Sequence, residues 1–325
     1  MPGETRLGEF DLIGKLFAPL TEAMPGAFRL TDDAAIITPP PGHDVVMTKD
    51  MMVSGVHFLP DDPPDLIARK LLRVNLSDLA AMGATPHGYA LGLSLPALID
   101  DAWLTAFAGG LAADQREFGI ALLGGDTTST PGPLTLSLTA FGFTPQGRLL
   151  RRSGARPGDV VYVTGTIGDA ALGLLALRGA VEDRTGFLAG RYRLPHPRLA
   201  MGAVLPDLAS AGLDVSDGLV ADLGHLCAAS GVRAVIEAGR VPLSAAARIC
   251  LEAAPPLLEA ILTGGDDYEL VFSVPGRRCK ALERAATEAG TAVTRIGLIS
   301  TGAGVEVLDI AGEPMTLARA GFRHR

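Results

Sequence analysis

Two periods divide the chain. Ile67, Leu71 and Val74 recur at helical spacing and predict a helix over 64–82, and residues 101–118 read as a second helix. DVVMTKD, residues 44–50, reads as a short strand ending in a Lys-Asp pair, and GIALLGGDTT as a buried strand running into a glycine-rich turn. LTLSLTAFGF alternates apolar and polar positions, the pattern of a half-buried antiparallel strand. The alternation breaks around Arg148–Pro157, where RLLRRSGARPGD is basic and turn-rich, and the domain boundary is expected there. A second run of mixed elements follows: VVYVTG as strand, DAALGLLAL as helix, GLDVSDGL as strand into helix, and GGDDYELVFSV as turn into strand. The pattern predicts an N-terminal α/β domain over 1–148 and a C-terminal α/β domain over 149–325.

Composition narrows the function. With 325 residues, 48% hydrophobic and 20% charged, the chain can bury two cores and is not a disordered segment. Its net charge of −8 argues against a nucleic-acid binder with a broad basic face. No run of about 18 uncharged apolar residues is present, so no membrane span is expected. Cys227, Cys250 and Cys279 are far apart and outside CxxC spacing, as in a reducing compartment. The N-terminus, MPGETRLGEF, lacks the apolar core of a secretion signal, and a cytoplasmic location is expected.

The informative residues are acids at the ends of apolar elements: Asp32, Asp33, Asp50, Asp78, Asp126, Asp214, Asp217, Asp266 and Asp267. Asp78 falls three helical turns after Ile67, on the face of Leu71 and Val74, where a carboxylate needs a partner. Arg69, Lys70 and Arg73 are the salt-bridge partners that a purely structural role would use. Asp126 and Asp266 each follow a Gly-Gly pair, which would let the backbone approach a ligand while the acid projects from a turn. Asp214 and Asp217 bracket Ser216, a candidate N-cap of a helix whose inner face is Leu219, Leu223 and Leu226; free N–H groups there would suit a phosphate. Oxygen ligands without a His/Cys cluster favour Mg²⁺ over zinc, and acids beside Mg²⁺ suit a nucleotide substrate.

The usual nucleotide motifs are missing. GEFDLIGK, residues 8–15, resembles a P-loop but has one residue too many between its glycines and Leu16 where Ser or Thr is needed. It reads better as an amphipathic helix with Phe10, Ile13 and Phe17 inward.

In chain order, GEFDLIGKLF, TDDAAII, TKDMMVSGVHF, KLLRVNLSDLAAMGA, LLGGDTT, RRSGARPGDVVYVTGTIGDAALGL, DVSDGLVADLGHL and GGDDYELVF resemble the thiamine-monophosphate kinase family, whose fold is similar to that of aminoimidazole ribonucleotide synthetase. The resemblance covers nearly the whole chain. It implies an α/β two-domain fold with mixed (α+β) sheets, an N-terminal domain that forms a barrel in a homodimer, and an active-site cleft completed by the C-terminal domain. The implied reaction transfers the γ-phosphoryl of ATP to thiamine monophosphate, giving thiamine diphosphate. By motif, Asp33, Thr48, Asp50, Asp78, Asp126, Asp214 and Asp217 would hold several Mg²⁺ ions, with Asp78, Asp126 and Asp217 the catalytic acids. Gly125, Asp126, Arg152 and Ser216 would contact ATP, and His57, Asp266 and Phe322 would surround thiamine monophosphate.

Four positions depart from the family's pattern: Thr31, Lys49, Asp266 and Phe322. A cation at Lys49 is expected to weaken metal binding or replace one ion. Competing readings are another enzyme of the superfamily and a silent ATP/Mg²⁺ sensor. Selenophosphate synthetase is disfavoured because no cysteine precedes Cys227.

Overall fold

The computed structural model describes residues 8–319 and residue 321. They form two compact units, one containing the described residues up to Leu79 with Thr85–Gln146, the other Ala80–Ala84 with Gly147 onward.

In the first unit, α1 (Glu9–Leu12) leads into a π-helical turn, Ile13–Phe17, and 3₁₀ turns. The wider turn changes which residues face inward. Leu12 and Phe17 are buried, whereas Phe10 is 87% exposed, contrary to a simple helical periodicity through Phe10. The strands β1 (His43–Val53), β2 (Thr85–Leu95), β3 (Ala121–Ser129) and β4 (Thr135–Pro145) form a mixed sheet in the order β1-β4-β2-β3. Only β2 and β3 are parallel. The alternation expected for β4 is present: Leu136, Leu138 and Ala140 are buried while Ser137, Thr139 and Phe141 are half-buried on the other face.

The helices α2 (Pro64–Met82) and α3 (Asp101–Phe118) have the extents that the periodicity predicts. Ile67, Leu71 and Val74 are buried, and Leu72, Leu76 and Leu79 on other sides of α2 are buried too. The helix is buried on nearly every side, so its polar residues, Arg73 among them, are buried with it. α3 is capped by Asp100, whose side chain accepts the Trp103 N–H at 2.7 Å. The two helices are joined by charge: Arg73 grips the fully buried Asp114 through Nε at 2.7 Å and Nη2 at 2.9 Å. Arg69 adds a 2.7 Å contact to the same carboxylate, and both arginines reach Glu117.

In the second unit, β5 (Val160–Thr164), β6 (Ala211–Asp214), β7 (Arg233–Glu237), β8 (Leu270–Val274), β9 (Val293–Ser300) and β10 (Gly304–Leu308) form a sheet in the order β10-β7-β9-β5-β8-β6. The β10–β7 pair is parallel and the others are antiparallel, so this sheet is also mixed. Its helices are α4 (Asp169–Leu177), α5 (Phe187–Arg193), α6 (Leu199–Gly202), α7 (Leu205–Leu208), α8 (Leu219–Ser230), α9 (Ala245–Ala253), α10 (Leu257–Thr263) and α11 (Cys279–Glu288). Val161 and Val163 of β5 share a core with Leu219, Leu223 and Leu226, the inner face expected for α8. Asp267 is buried at the start of α4, where it accepts the N–H groups of Gly168 at 2.7 Å and Ala170 at 3.1 Å.

Two predictions follow from these buried carboxylates. Asp114→Ala leaves Arg73 desolvated without its bidentate partner, and urea unfolding should show a loss of about 3 kcal/mol; a loss under about 1 kcal/mol would contradict the role given to this pair. Burial pushes the Asp267 carboxyl from 3.8 up to about 8, against the pull of its two N–H donors. A carboxyl whose pKa rises on folding favours the folded state below its unfolded pKa, and that contribution is lost as pH climbs through the folded value. Wild type should therefore lose stability relative to Asp267→Asn between about pH 4 and about pH 8, measured by urea midpoints across that range.

Candidate active site

On the first unit, the period of two along β1 places Thr48, Asp50 and Met52 on the inner side and Met47, Lys49 and Met51 on the outer side. Asp78 comes from the last turns of α2 and meets the inner set: the Thr48 hydroxyl donates to Asp78 Oδ2. Burial, reinforced by the negative charge of Asp78, pushes the Asp50 carboxyl up to about 7. Among the described residues no hydrogen-bond donor or cation is paired with Asp50. Arg69 and Arg73 hold Asp114, and Lys70 donates to the His57 carbonyl at 3.1 Å.

The expectation for Lys49 changes. Its ammonium lies on the outer face, donating to Ser137 Oγ at 2.6 Å and Thr139 Oγ1 at 3.4 Å, away from Asp50 and Asp78. Strand alternation separates neighbours that sequence places side by side, so Lys49 is not a substitute cation for that pair. His57 follows β1 and is half-buried; its Nδ1 accepts the Val53 N–H at 3.0 Å, which puts the ring proton on Nε2.

Asp126 lies within β3 rather than in a turn beyond it. The register runs Met51–Ser137–Gly92–Asp126 across the sheet, one row from Asp50–Leu138–Leu91–Gly125. Asp126 is thus on the opposite face from Asp50, at the other edge of the sheet, roughly 14 Å away by usual strand spacing. The structure does not bring these two acids together in one chain. It does bring Asp126 and Gly125 to Asp32 and Asp33, which line a cavity of about 440 Å³ with an apolar wall including Phe17 and Leu91. Just before those acids, Phe28, Arg29 and Leu30 all have positive φ, at 49°, 56° and 61°, a left-handed run that side chains with a Cβ adopt at a cost. Thr31 closes that turn by donating to the Phe28 carbonyl at 2.6 Å.

On the second unit, Asp214 is buried at the end of β6, with Ser216 and Asp217 half-buried after it. Ser216 is not the N-cap of α8; that position is Gly218. The N–H groups of Ser216, Asp217 and Gly218 are not open to a phosphate either. All three donate to Asp222 Oδ2, at 3.0, 2.9 and 3.1 Å. Burial pushes the Asp222 carboxyl up to about 7, with the three N–H donors opposing and the Asp217 charge adding. Asp217, Asp222 and His225 each place one ligand atom within 4.8 Å of the others. The sequence reading missed Asp222 and His225, although their i, i+3 spacing on α8 is a usable signal.

The Gly264–Asp266 turn lies against Val215 and Ser216. The Asp266 N–H donates to the Ser216 carbonyl at 2.9 Å and the Tyr268 N–H to the Val215 carbonyl at 2.8 Å. Both Gly-Gly pairs serve the chain itself. A Cβ on Gly125 would sit 1.9 Å from the Leu91 carbonyl oxygen, and one on Gly265 would sit 2.3 Å from that of Ser216. Close approach is required, as expected, but the neighbour is backbone. Arg152 is exposed, and its guanidinium has no hydrogen bond or ion pair among the described residues. Arg148 of the same basic stretch is bound to Asp207. Phe322 lies outside the described residues.

The residues on the first unit fit a hard cation: oxygen donors only, two carboxylates and a hydroxyl, with one carboxyl held proton-hungry by burial.

Two family models match the chain: the AIR synthase related protein N-terminal domain over residues 31–144 and the corresponding C-terminal domain over residues 156–310. Thiamine-monophosphate kinase of Caulobacter vibrioides is 47% identical, over 97% of this chain and 90% of the relative. The Escherichia coli K12 protein of the same name is 41% identical over 98% of each. Among solved structures, thiamine-monophosphate kinase from Stenotrophomonas maltophilia superposes with a TM-score of 0.83 at 40% identity, covering 92% of this chain and 97% of that one. AaThiL complexed with AMPPCP and TMP superposes with a TM-score of 0.78 at 29% identity over 99% of both. Hydrogenase maturation protein HypE, at 18% identity and a TM-score of 0.79 over 98% of this chain and 96% of that one, shares the fold. With two mixed α/β units matched by both models and near-complete coverage by its relatives, the chain belongs to the thiamine-monophosphate kinase family of AIR synthase related proteins.

Proposed function

We infer that this chain is an enzyme that transfers the γ-phosphoryl group of ATP to thiamine monophosphate, forming thiamine diphosphate and ADP. The observation that carries the reading is the Thr48, Asp50 and Asp78 cluster, an oxygen-only site in which half-buried Asp50 has no cation partner among the described residues. Its relatives' names supply the reaction, and the AaThiL neighbour is complexed with AMPPCP and TMP.

Asp33, Thr48, Asp50, Asp78, Asp126, Asp214 and Asp217 are assigned to hold Mg²⁺, with Asp78, Asp126 and Asp217 the acids on which turnover depends. Bound there, Mg²⁺ supplies positive charge between carboxylates and phosphates. Because the sheet keeps Asp126 away from Asp50 and Asp78, the reading needs more than one ion. Gly125, Asp126, Arg152 and Ser216 are assigned to ATP, and His57, Asp266 and Phe322 to thiamine monophosphate. Arg152 suits its role because its guanidinium is exposed and uncommitted. Ser216 acts through its side chain, since its N–H belongs to Asp222.

The acceptor is a phosphate whose second pKa is near 6, so it is largely ionised at neutral pH and needs no strong general base. The residues' work is to hold two polyanions in line and to balance their charge. A homodimer is supported by the outer face of β1, where Val45, Met47 and Met51 are 47%, 64% and 54% exposed. A cytoplasmic setting suits the three free cysteines. Among the described residues, no helix is long and apolar enough to cross a membrane.

The test is turnover of ATP, Mg²⁺ and thiamine monophosphate by the purified protein, with thiamine diphosphate separated by chromatography and EDTA as the metal control. Metal-dependent product is expected, and Asp78→Asn should reduce turnover at least about a hundredfold while keeping a cooperative melt. Binding of Mg-ATP without product would leave a nucleotide sensor. Loss of the fold in Asp78→Asn would make Asp78 structural.

A further inference from the structure

Beyond β10 the chain turns back on itself. The Gly312 N–H donates to the Asp309 carbonyl at 3.1 Å and the Met315 N–H to the Val307 carbonyl at 2.8 Å, so the returning segment lies along the outer edge of the sheet. From there it runs as an irregular strap to the segments that carry the candidate site. The Ala318 N–H donates to Glu259 Oε1 at 2.7 Å, and Glu259 belongs to α10, the helix that ends at the Gly264–Asp266 turn. Gly321 lies against the first turn of α8. A Cβ there would sit 2.4 Å from Ala221 Cβ and 2.7 Å from the Asp217 carbonyl oxygen, so only glycine allows this approach.

Of the two surfaces that meet at Gly321, the strap is the one that can yield. Asp217 is held through its N–H by Asp222, together with Ser216 and Gly218, and Ala221 is part of a helix. On the strap, Met315 and Leu317 pack against the core of the second unit, yet with Val220, Val305 and Arg319 they also border a cavity of about 460 Å³. A segment fastened at points, with a cavity beside it, takes its course from those points.

We propose that Glu259 and Gly321 are positioning residues for the phosphate acceptor. They fasten the strap to α10 and α8, so that the next residue of the chain, Phe322, sets out from beside Asp217 on a fixed course. That course matters because an aromatic ring attracts a flat cationic heterocycle, such as a thiazolium, only when its face lies within about 6 Å of the charge. The proposal rests on the reading that assigns Phe322 to the acceptor.

Steady-state kinetics separate the two ideas. Acceptor and ATP are varied in turn for wild type, Glu259→Ala, Glu259→Gln, Gly321→Ala and Phe322→Ala. Losing a hydrogen bond to a charged group should raise the acceptor KM about fivefold in Glu259→Ala. Glu259→Gln keeps a carbonyl that accepts the Ala318 N–H, and its acceptor KM should stay within about twofold of wild type. Gly321→Ala pushes the strap off Ala221 and Asp217 and should raise the acceptor KM about tenfold. In these three variants the ATP KM should stay within about twofold and the melting midpoint should not move. A raised acceptor KM in Phe322→Ala with none in Glu259→Ala or Gly321→Ala would overturn the positioning role and leave the acceptor reading intact. No change in any of those three would overturn both. A lowered melting midpoint with both KM values raised alike would make the strap a packing element and overturn the proposal.

Discussion

A carboxylate taken out of water must be met by hydrogen bonds or by positive charge, and that constraint organises both units of this protein. Most of its buried acids are satisfied by the chain. Asp114 has Arg69 and Arg73, Glu269 has Arg191 and Arg198, Asp222 has three backbone N–H groups and Asp267 has two. Half-buried Asp50 differs: among the described residues no hydrogen-bond donor or cation is paired with it, and its charged neighbour is another acid, Asp78. The first class holds elements in place, and the second is where the proposed cation would bind.

The satisfied acids set the geometry around the others. The Asp114 cluster ties α2 to α3, which fixes the helix that carries Asp78. Asp222 gathers the N–H groups of Ser216, Asp217 and Gly218, so the Asp214–Asp217 segment keeps its course without a ligand. Gly265 then brings the Asp266 turn against Ser216 at backbone distance. Preorganisation of this kind suits phosphoryl transfer, where positioning and charge balance carry most of the catalysis.

Much of this was legible in the sequence, and the failures have physical causes. The bounds of α2 and α3, the alternation of β4 and the inner face of α8 follow from the period of apolar positions. The inward face of the first helix was misread because a π-helical turn shifts the register, leaving Phe10 exposed. Asp126 was expected in a turn because Gly-Gly reads as a break, yet β3 continues through it and Gly125 makes room for Leu91. Lys49 looked like a rival to the metal because sequence adjacency hides strand alternation. The N–H groups near Ser216 looked open because their acceptor, Asp222, comes from the helix that follows. Motif resemblance named the acids; only coordinates sort them into those the protein satisfies and those it does not.

The central claim is that Asp50, which has no donor or cation among the described residues, marks with Asp78 a site for an external cation. Thermal melting of the nucleotide-free protein, with and without Mg²⁺ at constant ionic strength, tests it most directly. A ligand that binds only the folded state raises its stability, so Mg²⁺ should raise the midpoint of wild type. The rise should shrink clearly in Asp50→Asn and in Asp78→Asn, whose own metal-free midpoints should not fall. An equal Mg²⁺-dependent rise in all three proteins would contradict the account and place the cation elsewhere.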